Sequence, residues 1–206
     1  MKPQRARIAL LLMASLLCAA CGGKRPPNHY YLLGALASQE EAAPSSSVGS
    51  EGLHVGVKAI HVDPPYDRDS IVYRVGVDSP EVGFYAYHLW AAPLSRMLPG
   101  VVASAFEGTE GIGTVEPVVP GRSYGAYVTG RVLAFEEVDL PEGQRVRISL
   151  SLRLRLADGG ERWTRRISGE SGLQAENVAE IVDAMRSLLS ELLREARADL
   201  ALALNR

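Results

Sequence analysis

Cysteine is nearly missing from this chain: 206 residues hold only two, Cys18 and Cys21, both in the early stretch LLCAACGG. No further cysteine follows that could join them in a thiolate zinc site or a disulfide framework. Histidine is almost as sparse, with four copies, His29, His54, His61 and His88, in no H-x-x-x-H or H-E-x-x-H pattern. A G-x-S-x-G elbow, a Walker loop and a G-x-G-x-x-G fingerprint are all missing, and GIG at Gly111 to Gly113 reads as an isolated turn signal. Asp67 and Asp69 in PPYDRDS read as turn and cap residues rather than as paired catalytic carboxylates. The chain also lacks an excess of either charge, with Lys+Arg 22 against Asp+Glu 24, which argues against a nucleic-acid partner. These gaps point away from an enzyme, a metal site and a bound cofactor.

What is present begins with a processing signal. Lys2, Arg5 and Arg7 precede an apolar run from Ile8 to Ala20, and the small pair Ala19 and Ala20 stands directly before Cys21. Basic start, apolar centre and small-residue cleavage site are the parts of a secretory signal. The run is shorter than the about 20 apolar residues of a permanent membrane span. Small residues before Cys21 resemble the bacterial lipobox, whose cysteine carries lipid; Cys18 stands where Leu is usual, with Leu17 one place earlier. An ordinary cleaved signal and a redox C-x-x-C are the alternatives, and the second lacks the strand-to-helix context of a redox site. The reading divides the chain into a signal at 1–20, a tether at 21–29 with lipid on Cys21, and one domain at 30–206 with a flexible loop at 34–52. Cys18 leaves with the signal, so no disulfide is open to the mature chain and its stability rests on packing.

Strand patterns dominate the domain. Tyr30 to Leu33 is a short first strand. Leu53, Val55 and Val57 alternate before Ile60 and Val62 shift the register, which predicts an irregularity near Lys58. PPYDRDS is turn chemistry, and IVYRVGV is the next strand. Asp78, Ser79 and Pro80 are expected to open a helical stretch through Phe84, Trp90, Leu94 and Phe106, broken where Pro93 or Pro99 starts a fresh piece. Val115 to Val119 and Tyr124 to Val138 read as strands. In RVRISLSLRLRL, Val146, Ile148, Leu150, Leu152, Leu154 and Leu156 hold one parity, which predicts an antiparallel strand with one buried face. Asp158, Gly159 and Gly160 turn it into a partner strand through Trp163 and Ile167. Asn177 and Glu180 fit the cap of a last helix whose stripe runs from Val178 to Leu200. The fold class expected is α+β: a mostly antiparallel sheet packed by two helices, an α/β sandwich in one domain.

The other parity of RVRISLSLRLRL carries Arg145, Arg147, Arg153 and Arg155. Guanidinium groups in a row can hold phosphate headgroups or an acidic partner. The competing reading, which is favoured, is a solvated face balanced by cross-strand carboxylates such as Glu136, Glu137 and Glu161. Trp90 and Trp163 are read as core.

The order of the lipobox, YYLL at Tyr30 to Leu33, V-x-V near Val55, PPYDRDSIVYR from Pro64 to Arg74 and WAAPLSRML from Trp90 to Leu98 resembles the ABC-type transport auxiliary lipoprotein family, also called paraquat-inducible protein C-like. Pro65, Tyr66, Arg68, Ile71, Val72, Arg74, Trp90, Ala91, Pro93 and Leu94 fit its pattern. Tyr66 is followed at once by Asp67 and Arg68, one residue fewer than the family's usual run, and the Ser-rich loop is long. The resemblance implies a non-enzymatic accessory, lipid-anchored on the periplasmic face of the outer membrane of a Gram-negative cell. Its implied partners are a periplasmic mammalian-cell-entry-type substrate-binding protein and the ABC permease and ATPase of a lipid or hydrophobic-solute transport system. Gly22 rather than Asp after Cys21 agrees with release to the outer membrane, and a homo-oligomer would suit a periplasmic conduit. The rival from another class is a lipoprotein that regulates envelope assembly or cell-wall synthesis.

Overall fold

The computed structural model describes residues 25–34 and 52–205. The predicted signal, Cys21 and nearly all of the predicted 34–52 loop lie outside the described residues. The described elements run β1 (His29–Tyr31), β2 (Leu53–Val57), β3 (His61–Val62), β4 (Ser70–Val75), β5 (Val82–Trp90), α1 (Leu94–Phe106), β6 (Ile112–Pro117), β7 (Ala126–Leu140), β8 (Gly143–Leu156), β9 (Glu161–Leu173) and α2 (Val178–Leu204).

β7 is the spine of the sheet. Along one side it pairs antiparallel with β8 from Ala126↔Leu156 to Leu140↔Gly143, and β9 adds antiparallel outside β8. Along its other side three short parallel strands follow one another: β2 at Val55↔Ala126, β3 at His61↔Arg131 and β4 at Tyr73↔Glu137. β6 extends the β2 wing, while β5 and then β1 extend the β4 wing. The sheet is mixed, and the long β7–β8–β9 meander makes it mostly antiparallel, in the α+β class expected from the alternation. The irregularity anticipated near Lys58 is the gap between β2 and β3, where the Lys58 N–H reaches the Val128 carbonyl at 2.9 Å.

Residues 82–90 do not form the helix expected of them. Phe84, Tyr85, Tyr87 and Leu89 are aromatic or bulky side chains at home on a pleated surface, and pairing with β4 on one side and β1 on the other overrides any helical spacing. The Asp78–Pro80 signal is part of the β4–β5 connection, where Gly76 turns at φ +86. The helix begins only after Pro93, its N-cap, and runs through Pro99 unbroken to Phe106. Pro93, not Pro99, therefore starts the helical piece. β1 begins at His29, which places that residue in the sheet rather than in the tether.

Both helices cover one face. α2 lies along β8 and β9 and α1 along β6, β2 and β3, and the two helices touch each other. The α2 stripe is buried throughout, including Met185 and Ala196, and the Glu180 N–H donates to Asn177 Oδ1 at 3.2 Å in the cap. Each large apolar side chain removed from water contributes about 2 kcal/mol, and Val146, Ile148, Leu150, Leu152 and Leu154 are all at or near zero exposure beneath the helices. Trp90 and Trp163 sit in this core as expected, edge-on to Phe135 and Phe106 with ring centres 5.8 and 6.1 Å apart.

Candidate functional site

The face of β7, β8 and β9 away from the helices carries the arginines of the β8 stripe. A register shift between Val132 and Ala134 makes this face unusual. Val132 is opposite core Leu150, but beyond the shift Phe135 is opposite core Ile148, so the strand changes parity. Glu136, opposite Arg147, is thereby turned to the outer face, and Glu137, opposite Val146, to the helix side. Both carboxylates are buried, at 0% and 1% exposure.

Glu136 is a hub for residues distant in sequence. The Arg147 Nε donates to its Oε1 at 3.0 Å, and a second Arg147 nitrogen pairs with the same oxygen. The Arg74 guanidinium donates to Oε1 at 3.3 Å and to Oε2 at 3.2 Å, and the Tyr66 hydroxyl donates to Oε2 at 2.9 Å. Burial pushes the Glu136 carboxyl up, but the hydrogen bonds from Arg147, Arg74 and Tyr66 outweigh it and hold the group below the ordinary carboxylate range. Burial, then the charge and hydrogen bond of Glu136, push the Tyr66 hydroxyl up to about 12. Tyr66 and Arg74, selected in the sequence as motif residues, thus meet on one carboxylate. Arg74 also donates to the Ser79 carbonyl, which ties the β4–β5 connection to the hub.

The other motif residues lie elsewhere. Arg68 donates to the Pro65 carbonyl at 2.8 Å and stacks over the Phe84 ring at 3.6 Å. Trp90 is core and its N–H donates to the Asp69 carbonyl, and Pro93 caps α1.

The four arginines of the β8 stripe have different fates. Arg147 is held by Glu136, while Arg145 lies 3.6 Å from Glu170 and 3.9 Å from Glu142. Arg155 makes a 3.4 Å contact with the Gly159 carbonyl, and Arg153 is exposed with no carboxylate partner among the described residues. Arg153 sits between Thr129 of β7 and Thr164 of β9. Next to it, Arg166 of β9 donates to Ser149 at 3.4 Å, and an open cleft of about 450 Å³ runs from there past Ser168 and Arg147 to Tyr66. Of the expected cross-strand carboxylates, Glu136 does serve the stripe, and Glu161 lies opposite Arg155 but accepts from Thr164. Glu137 faces away, accepting from the Tyr85 hydroxyl at 2.7 Å. Burial pushes Glu137 up, the Tyr85 bond opposes this only in part, and Asp139 adds to the rise.

Arg166 and the hub role of Glu136 escaped the sequence reading. The signal for Glu136 was there: two adjacent acids in AFEEVDL, inside a strand, force one of them onto each face. Among the described residues no group of three His, Cys, Asp or Glu side chains gathers to hold a metal, and no helix is long and apolar enough to cross a membrane.

The structure so far defines a class: an α+β domain whose mixed sheet is covered by helices on one side and keeps an arginine-bearing face on the other. Residues 31–196 match the model of the family described as ABC-type transport auxiliary lipoprotein component, and the chain belongs to that family. In fold it is similar to a crystal structure of a Xanthomonas campestris protein, at TM-score 0.63 and 19% identity over 74% of this chain and 85% of that one. A second crystal structure, of an uncharacterised protein, is similar at TM-score 0.59 and 18% identity over 86% of this chain and 98% of that one. Among curated proteins none matches the sequence.

Proposed function

We propose that this chain is a non-enzymatic accessory subunit of an ABC-type transport system for lipid or another hydrophobic solute. It is anchored through lipid on Cys21 to the periplasmic face of the outer membrane, and it docks a mammalian-cell-entry-type periplasmic component. Family membership supports the transport role, and the signal-like start with Cys21 and Gly22 supports the anchor. The observation that carries the docking reading is the unneutralised end of the arginine stripe. Arg153, Arg155 and Arg166 stand on a sheet face that no described helix covers, and only their neighbour Arg147 is consumed by a buried carboxylate. Planar guanidinium groups next to threonine and serine hydroxyls suit carboxylates on an acidic partner surface.

The double variant Arg153→Glu/Arg155→Glu tests this reading. Co-purification of the periplasmic component in mild detergent should fall at least tenfold while the melting temperature stays within about 2 °C, since surface changes away from packed features cost little. Undiminished recovery would remove the arginines from the docking face. Recovery of a cell-wall synthase instead would favour the envelope-assembly role. Arg147→Glu is the wrong probe, because it unpairs Glu136 and changes folding together with binding.

A further inference from the structure

The sheet's opposite edge carries a surface that charged docking does not use. β1 is the outermost strand of the β4 wing, and Tyr30 lies opposite Leu89 of β5. Leu89 and Phe84 both pair with β4, at Ser70 and Val72, two residues apart, so they share the face that also carries Arg74. Between them the register shifts, so that 85–88 stand against the single β4 residue Ile71. Tyr30 is 63% exposed, Leu32 55%, Phe84 37% and Tyr87 36%. Water-facing aromatic and leucine side chains gathered on one edge call for a partner, since isolated exposed apolar residues are ordinary but contiguous ones are not. Cations border the group: Arg68 lies flat on Phe84, and exposed Arg25 precedes β1.

The position of the edge says what covers it. His29 is eight steps along the chain from Cys21, so the start of β1 lies at most about 26 Å from the lipid-bearing residue at about 3.3 Å per extended residue. From β1 to β9 the sheet crosses β5, β4, β7 and β8, a further about 24 Å at about 4.8 Å per strand. The aromatic edge is thus the part of the sheet tied closest along the chain to Cys21, while Arg153 stands on β8, four strands across from β1.

We propose that the β1–β5 edge seats on the bilayer: Tyr30, Leu32, Phe84 and Tyr87 enter the headgroup layer and Arg68 meets lipid phosphates. Tyrosine presents an apolar ring with a polar tip, which suits it to this boundary. The contact fixes the domain's orientation, so that a lipid anchor on a short tether becomes a rigid mount. This inference rests on the anchoring of Cys21.

Labelling tests it directly. Cys18 leaves with the signal and Cys21 is blocked by its thioether, so Tyr30→Cys, Leu32→Cys, Tyr87→Cys and the control Thr164→Cys each offer one free thiol for a nitroxide. The lipidated full chain is reconstituted into phosphatidylethanolamine and phosphatidylglycerol vesicles, and collisions with oxygen and with a water-soluble nickel complex are measured. Labels at 30, 32 and 87 should lose nickel contact several-fold on vesicles and gain oxygen contact, while the label at 164 stays wet. Equal nickel contact at all four positions on floating vesicles would overturn the seating and leave the anchor standing. Shielding of 30, 32 and 87 before vesicles are added would overturn it in favour of contact between copies of the chain. Failure of the lipid-processed chain to float with vesicles would overturn both seating and anchor.

Discussion

Glu136 and Glu137 are chemically identical neighbours on β7, both buried, and the sheet treats them in opposite ways. The outer-face carboxylate has two guanidinium groups and a phenol, and it is held ionised. The helix-side carboxylate has one phenol and a nearby Asp139, and burial pushes it toward its neutral form. Depth alone therefore does not set the charge of a buried acid; the number of donors turned toward it does. The parity shift at Val132 is what assigns each residue to its face. One residue of slip would hand Glu136's donors to the wrong side chain.

The sharpest way to break this contrast is Glu136→Ala. It leaves Arg74 and Arg147 without their carboxylate and should cost about 3 kcal/mol, read from urea midpoints at unchanged slope. Glu137→Gln should act with the opposite sign and a smaller size. A folded carboxyl held above its unfolded value favours the protonated state, so its contribution is lost as pH rises from the unfolded value through the folded one. Removing it should raise stability at pH 7 and flatten that part of the profile. Glu136 works the other way: its contribution is present above the unfolded value of about 4.3 and disappears as pH falls through the lower folded value. Acid melts of Glu136→Gln should therefore lose the steep acid limb that Glu137→Gln keeps. Least disruptive is Tyr66→Phe, which removes one donor of several and should cost about 1 kcal/mol; an effect as large as that of Glu136→Ala would mean that the phenol, not the arginines, holds the hub.

The β8 alternation, the β8–β9 turn and the capped last helix could be read from sequence because each is set by local spacing. β5 could not, because Phe84 to Trp90 becomes a strand only through partners at β4 and β1. The charged face was half legible. Spacing placed Arg145, Arg147, Arg153 and Arg155 on one side of β8, but which of them stays free depends on a register shift in another strand and on a tyrosine 70 residues away from Glu136. Tyr66 and Arg74 stood out in the sequence only as residues that fit the family pattern. In the fold they form a clasp between the turn before β4 and the sheet centre.

The spine strand also orders how the chain can assemble. β7, β8 and β9 are neighbours in sequence joined by tight turns, so their ladders close small loops and form at low entropic cost. The wings differ: Tyr73 meets Glu137 and Val55 meets Ala126 only after long intervening segments have been folded back. A meander that forms first offers β7's free edge as a template on which β2, β3 and β4 are laid down in turn. Because the ribosome delivers β7 after those strands, the N-terminal half has no template to pair with until the meander has been made.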